Sequence, residues 1–572
     1  MTGSSDSPPA RSPLREQTDL LGSGTRRVER RNNSWRWLDL GCVSPVKPRR
    51  GANDAPMRDP EPSIGGPYLA IGRTVCCGGA GPQNRRMKKP APTRSRVTVT
   101  RFAFTAALGG FLFGYDSAVI NGAVKAIGDH YRVSASALGF TVSSALLGAA
   151  VGAVLAGRVA DRFGRLRVMW LAAVLFLISA LGAGLVDTLG LLIVFRVIGG
   201  AGVGMASVIA PAYIAEIAPA SIRGRLGSVQ QLAIVLGIFV ALLADYVLAK
   251  VAGGSEHVLA LGLEAWRWMF LAMSVPALLY GGLAATIPES PRYLVSRMRL
   301  DAARGVLRRV LGSIDVDAKV EEIRQTLRSE RRPKLADLRG PALGLMPIVW
   351  VGIGLSVFQQ FVGINVIFYY SSVLWQAVGF SESSSLVITV ITSVVNIVTT
   401  LVAISLIDKV GRKPLLLIGS AGMALTLGAM AVIFGTAPMN AHGEPVLHGA
   451  AGPVALVAAN AFVFFFGMSW GPVVWVMLGE KFPNRIRAAA LSVAASAQWL
   501  ANWVITTTFP SLKGASLGLA YGIYAGFAVL SFMFVRWVIT ETNGRELEAM
   551  PEQVEVRAGA KAVRGIPRFD EA

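Results

Sequence analysis

Cysteine is nearly absent: Cys42, Cys76 and Cys77 are the only three in 572 residues, and all precede the first long apolar run. Neither a disulfide framework nor a cysteine-ligated metal can therefore be built in the body of the chain. Histidine is almost as scarce. His130, His257, His442 and His448 all fall in connections between apolar runs, so no histidine metal cluster or proton relay is available inside a membrane. Charge is thin as well, at 16% of residues, against roughly 25% in a soluble domain. With 53% hydrophobic residues, that deficit excludes an ordinary soluble enzyme of this size. Walker-type phosphate loops are missing, and no nucleophile, base and orienting group stand together. An ATP-driven pump and an intramembrane enzyme are not expected, and no metal or cofactor is called for.

What the chain does have is length without charge. Twelve runs of about 20 apolar residues, each long enough to cross a bilayer, begin near Phe102, Ala137, Val168, Leu189, Leu226, Trp268, Leu343, Ser384, Leu415, Gly452, Ala488 and Ala515. An all-α, multi-pass membrane protein of twelve spans is predicted. The net charge of +21 is sorted by side: connections after spans two, four, eight and ten hold twelve Lys or Arg, and the opposite connections hold Lys125, Arg132, Lys250, Arg267 and Lys513. By the positive-inside rule both termini and the central connection are cytoplasmic. The bilayer, rather than nucleic acid, is the partner this charge implies.

Five segments follow. Residues 1–97 carry eighteen Lys or Arg against eight Asp or Glu with no periodicity, which reads as a disordered cytoplasmic tail. Arg26-Arg27 is not followed by the apolar stretch a twin-arginine signal needs, and Met57 or Met87, the latter just ahead of the first span, is an expected alternative start of translation. Residues 98–287 form a first six-span half, and residues 343–541 a second. Between them, residues 288–342 make a polar cytoplasmic linker in which apolar residues at helical spacing around Ala303 and Val306 predict short amphipathic helices. Residues 542–572 are a C-terminal cytoplasmic tail.

The halves read as a duplication. Asp161-Arg162-Phe163-Gly164-Arg165 returns 247 residues later as Asp408-Lys409-Val410-Gly411-Arg412. Glu216 with Pro219 and Arg223 returns as Glu480, Pro483 and Arg487, and Glu289 with Arg292 is echoed by Glu541 and Arg545. A parallel repeat of six-helix halves is the architecture of the major facilitator fold, with a substrate site near midplane between them.

The same loops carry a resemblance. From about Arg101 to Glu548 the chain resembles the sugar porters of the major facilitator superfamily, and among them the bacterial proton-coupled xylose symporters. The matching residues are Phe113-Gly114-Tyr115-Asp116, Gly157-Arg158-Val159-Ala160-Asp161-Arg162-Phe163-Gly164-Arg165, Pro288-Glu289-Ser290-Pro291-Arg292, Phe358-Gln359-Gln360-Phe361-Val362-Gly363-Ile364-Asn365 and Ser469-Trp470-Gly471-Pro472-Val473-Val474-Trp475. Thr540 and Asn543 depart from the last family motif. Met273 stands where the xylose symporters have an acid, and Ile238 where they have a glutamine. The resemblance implies uptake of a monosaccharide together with protons.

Within the spans the ionisable residues are Asp116, Arg196, Asp245 and Arg536. Arg536 and Asp245 lie near span ends, where polar side chains reach water. Asp116 and Arg196 lie deeper, and a charge at that depth usually faces a cavity or a partner. They are predicted to pair in one conformation and part in another. A guanidinium beside a carboxylate favours its charged form, and a desolvated carboxylate without that partner favours the protonated one. Conformation would then set protonation, and coupling it to sugar occupancy gives symport; a static ion pair is the plainer alternative.

A sugar needs amides that both donate and accept, and an aromatic face. Gln231, Gln359, Gln360, Asn365, Asn396 and Gln498 supply the amides, with Trp475 and Trp499 as rings, and the resemblance matches them to the family's sugar-contacting positions. For any one of them an interhelical hydrogen bond is the alternative role. Gly109, Gly110, Gly114 and Gly363 are expected to kink the first spans of the halves into outer gates, or else to pack them closely. At the basic end, Arg158, Asp161, Arg165, Glu216, Arg223, Arg225, Glu289, Arg292, Asp408, Arg412, Glu480 and Arg487 are expected to form an ion-pair network that locks an inner gate; topogenic charge alone is the competing explanation. The reading is a monomeric plasma (inner) membrane transporter importing an aldohexose or pentose, such as glucose or xylose, with protons. The alternatives are a facilitative uniporter and a non-transporting membrane sugar sensor.

Overall fold

The computed structural model describes residues 93–542 apart from 220–221, 312–314, 330–334, 440–444 and 484–485, and in places backbone only, as at 93–96 and 223–225. The expected tails at 1–97 and 542–572 fall almost wholly outside the described residues, as do Cys42, Cys76, Cys77 and His442.

Twelve helical passes account for the apolar runs. Span one is Thr93–Ala118 with Ile120–Tyr131, span two Ala135–Phe163, span three Arg165–Leu185, span four Leu189–Ile217, span five Arg223–Ala252 and span six Ala265–Ala272 with Ser274–Ala284. The second half repeats the set: Pro347–Phe361 with Ile364–Ala377, Glu382–Val410, Arg412–Thr436, Ala451–Gly467 with Trp470–Lys481, Arg487–Ala515 and Leu517–Trp537. At a rise of about 1.5 Å per residue, helices of this length cross the hydrocarbon layer with all interior backbone groups paired. Serine side chains start spans two, eight and twelve, where Ser134, Ser381 and Ser516 accept from the amides of Ala137, Ser384 and Leu519 and satisfy donors a helix start leaves open.

Packing repeats with the sequence. Spans one and five pack together as do seven and eleven, two and four as do eight and ten, three and four as do nine and ten. Between the halves, span two packs on span eleven and span five on span eight, two contacts that exchange under the same repeat. Exposed apolar side chains such as Trp170, Val275, Leu425 and Leu519 mark the rim formed by spans three, six, nine and twelve, a surface suited to lipid. The linker forms helices Pro291–Ser296, Leu300–Leu311 and Val316–Ser329. Its second helix buries Ala303, Val306, Leu307 and Val310 and packs against span one.

Candidate functional site

Asp116 of span one and Arg196 of span four are 1% and 2% exposed, with Arg196 Nη1 3.6 Å from Asp116 Oδ1. This is contact without a side-chain hydrogen bond. The guanidinium donates instead to the Asp116 carbonyl at 3.3 Å and the Val142 carbonyl at 3.4 Å, while Asp116 Oδ1 and Arg196 Nε have no hydrogen-bond partner among the described residues. A buried pair so loosely satisfied is a poor source of stability. The Phe270 ring of span six lies 5.7 Å from the guanidinium carbon. Beside the pair is a small cavity, room for about one water, lined by Asp116, Ser117, Val142 and Arg196 and, from span seven, by Tyr369. Tyr369 also interacts with Ser117 and Asn502. The charges of one half are thereby in touch with the other.

Spans one and seven, the first of each half, both break. Span one breaks at Val119, and span seven at Gly363, whose φ of +82° suits glycine. Their second segments, at the end opposite the basic loops, are stitched together. Asn121 Nδ2 donates to the Phe368 carbonyl at 3.0 Å, the Ser372 amide donates to Asn121 Oδ1 at 3.3 Å, and Ser372 Oγ donates to the Asn121 carbonyl at 2.5 Å. The Ser255 amide donates to Glu382 Oε1 at 2.9 Å at the same end, so the halves are joined opposite the basic loops. Kinks were expected at Gly109, Gly110 and Gly114, but the helix Thr93–Ala118 runs through all three. Close packing is the reason: a Cβ on Gly114 would lie 2.0 Å from the Ile234 carbonyl oxygen, and one on Gly237 2.0 Å from that of Phe111.

Four of the six amides lie on spans seven and eleven, which pack together. Gln359 Nε2 donates to the Trp470 and Gly471 carbonyls at 2.9 and 3.3 Å, while its Oε1 has no partner among the described residues. Asn365 Nδ2 donates to Gln360 Oε1 at 2.5 Å. Gln498 Oε1 is buried without a partner among the described residues, and Trp499 packs 5.5 Å from the Phe113 ring across the seam. Asn396 is buried on span eight near Gly467. Gln231 is half-buried on span five, next to a fully packed Gln230, and Trp475 is 42% exposed.

At the basic end the structure builds the same cluster twice. Arg165 donates from Nε and Nη2 to both carboxylate oxygens of Glu216 at 3.1 and 3.0 Å, and Asp161 lies 3.6 Å away. Glu289 accepts from the amides of Arg165 and Leu166 at 3.0 and 3.2 Å, capping span three, and Ser290 Oγ donates to Glu216. In the second half Arg412 donates to Glu480 at 2.9 Å beside Asp408, Glu541 accepts from the amides of Arg412 and Lys413 at 3.0 and 2.9 Å, and Thr542 Oγ1 donates to Glu480 at 2.6 Å. These pairs lie inside one half each, where they brace a bundle. Arg158 is exposed and Arg487 Nε donates to the Phe482 carbonyl at 3.1 Å. The side chains of Arg223 and Arg225 lie outside the described residues, and Arg292 is a bonded member of this end.

One expectation is corrected. Asp245 was placed at the water near a span end, but it is 0% exposed. The short side chain is enclosed where spans one, five and six converge: a Cβ on Gly122 would lie 2.7 Å from Asp245 Cβ and 2.8 Å from Met269 Sδ. Asn121 and Asn502 were also missed, whereas Tyr369 was expected in the span-seven gate with Gly363 and Tyr370. Both asparagines are polar within an apolar helix, the signal that singled out the other amides. Arg536 is exposed, as a cation near a span end should be.

Twelve spans in two repeating halves, with polar residues and helix breaks along the seam, define a major facilitator transporter. The chain belongs to the sugar transporter family: residues 102–554 match the family described as "Sugar (and other) transporter". It is 58% identical over 447 residues to a glucose transport protein of Synechocystis, covering 78% of this chain and 95% of that protein. It is 39% identical over 478 residues to the D-xylose-proton symporter of Escherichia coli, covering 78% and 93%. The partially occluded, inward-open structure of the E. coli xylose transporter XylE superposes with a TM-score of 0.68 at 37% identity, over 79% of this chain and 100% of that one. The protein is thus a multi-pass membrane protein of sugar transport.

Proposed function

We propose that the protein imports a monosaccharide, an aldohexose or pentose such as glucose or xylose, together with protons by alternating access. The observation that carries this is the loose Asp116–Arg196 pair, 3.6 Å apart and touched by Tyr369 from the opposite half. Strengthening the pair holds the carboxylate charged; parting it favours protonation. A movement of span seven on sugar binding therefore changes what Asp116 binds. Moving one charge inward gains about 2.3 kcal/mol per 100 mV of membrane potential. The relatives named for glucose and for xylose with protons support the substrate class. Gln231, Gln359, Gln360, Asn365, Asn396, Gln498, Trp475 and Trp499 are its contacts. The basic end is cytoplasmic, both termini lie there, and the closed Asn121 seam faces outward, so this conformation is closed to the outside. A monomer in the plasma (inner) membrane is sufficient.

The test is Asp116→Asn in reconstituted vesicles. Accumulation of sugar against its gradient is expected to be lost while binding and exchange persist. Accumulation that survives makes Asp116 structural. Uptake by the unaltered protein that is indifferent to collapse of the proton gradient makes it a uniporter. Removal of residues 1–86 should leave uptake intact, whereas a sensor signalling through its tail would lose its output.

A further inference from the structure

Asp245 is the second carboxylate buried in the first half, and nothing described so far employs it. It is 0% exposed, Oδ2 accepts the Gly122 amide at 3.2 Å, and Oδ1 has no partner among the described residues. Gly122 follows Asn121, whose side chain and carbonyl join span one to span seven. The carboxyl group thus sits against the backbone of the outer seam itself.

The charges around it are committed elsewhere. On span one, Tyr115 is the titratable side chain near it, itself buried, and beyond it Lys125 pairs with Asp129 and Glu256. On span five, Lys250 donates to the Tyr246 hydroxyl. On span six, Arg267 turns to Asp187 and Glu264, and the uncharged Met269 faces Gly122 alongside Asp245. Arg196 of span four faces Asp116, and Glu382 of span eight accepts the Ser255 amide. An ionised carboxylate enclosed without a cation is far more costly than a neutral one.

We infer that Asp245 is a second proton-carrying group of the transport cycle: its carboxyl takes up a proton from the outer medium as the Asn121 seam closes and returns it to that medium when the seam opens. This rests on the alternating-access reading above. The proton binds and leaves on one side, so the number carried inward per sugar is unchanged. The carboxyl is neutral when enclosed and ionises when the seam opens to water. Closure is therefore favoured at low outer pH, and above the ordinary aspartate range it weakens by up to about tenfold per pH unit.

The test uses spin labels at exposed outer positions of the two halves, through Ser136→Cys and Ser383→Cys with Cys42, Cys76 and Cys77 changed to Ser, in vesicles titrated with acid. The unaltered protein should move from a long to a short inter-label distance as pH falls. Asp245→Asn, which mimics the neutral acid, should hold the short distance at every pH. Asp245→Glu should restore the response. An unchanged pH response in Asp245→Asn, or loss of closure in it, overturns the inference. Accumulation is read separately in Asp116→Asn. A vanished pH response in Asp245→Asn with accumulation surviving Asp116→Asn supports Asp245 and overturns the proton route through Asp116; the reverse pair of results overturns Asp245 alone.

Discussion

A methyl group added at Gly114 would land 2.0 Å from a backbone oxygen of span five, whereas one added at Gly157 meets nothing within 4 Å. The two glycines therefore differ in sign. Gly114→Ala is expected to force spans one and five apart and cost about 1–3 kcal/mol, read as a fall in melting temperature in detergent. Gly157→Ala, in a helix interior, should be neutral or stabilising by about 0.5–1 kcal/mol. Residue depth was legible where it depended on one helix. Asp116 and Arg196 lie in the middle of apolar runs, and the fold brings them to 3.6 Å. Asp245 was misplaced because its burial depends on how spans one and six close over span five. Distance from a span end carries no information about that convergence.

The broken spans are the elements that the proposed alternating access would move. Three hydrogen bonds at Asn121 and Ser372 hold the outer segments of spans one and seven together, at a net value of about 0.5–1.5 kcal/mol each. Asn121→Ala removes the two made by its side chain and should shift the equilibrium toward an open seam by about 5- to 150-fold. The check is the labelling rate of a cysteine placed at Ser371, which is buried at 1% exposure behind the seam, by a membrane-impermeant thiol reagent added from the outside. Faster labelling is the expected result, and an unchanged rate would show that the latch is not at Asn121. Helix length and apolar composition together find ten of the twelve spans. Span six is irregular because Met273 divides it into helices of 8 and 11 residues, and span eleven carries Gln498, Asn502 and a run of threonines. Both departures fall where helices bend or carry polar groups toward the seam. Their apolar length still made them readable as spans, but not where they break.

Duplication governs the whole molecule, and it was legible because three loops recur in order with their charges. What the loops could not reveal is which charges meet. The network was expected to lock an inner gate; in this conformation Arg165 with Glu216 and Arg412 with Glu480 each close on their own half. Sequence places a charge at one end of a bundle; only packing decides whether its partner comes from the same bundle. That difference has a thermodynamic signature. Lysine cannot reproduce the fork of Arg165 on Glu216, nor the reach of the Arg412 guanidinium to Glu480, Asp408 and the Ile407 carbonyl together, so Arg165→Lys and Arg412→Lys should each cost about 1–3 kcal/mol. If each cluster braces its own half with no shared partner, the costs add in the double variant to within about 0.5 kcal/mol. A single lock spanning both halves predicts instead that the first substitution breaks it and the second adds little. Thermal melting of the two single variants and the double variant, at one detergent concentration, separates a pair of braces from a lock.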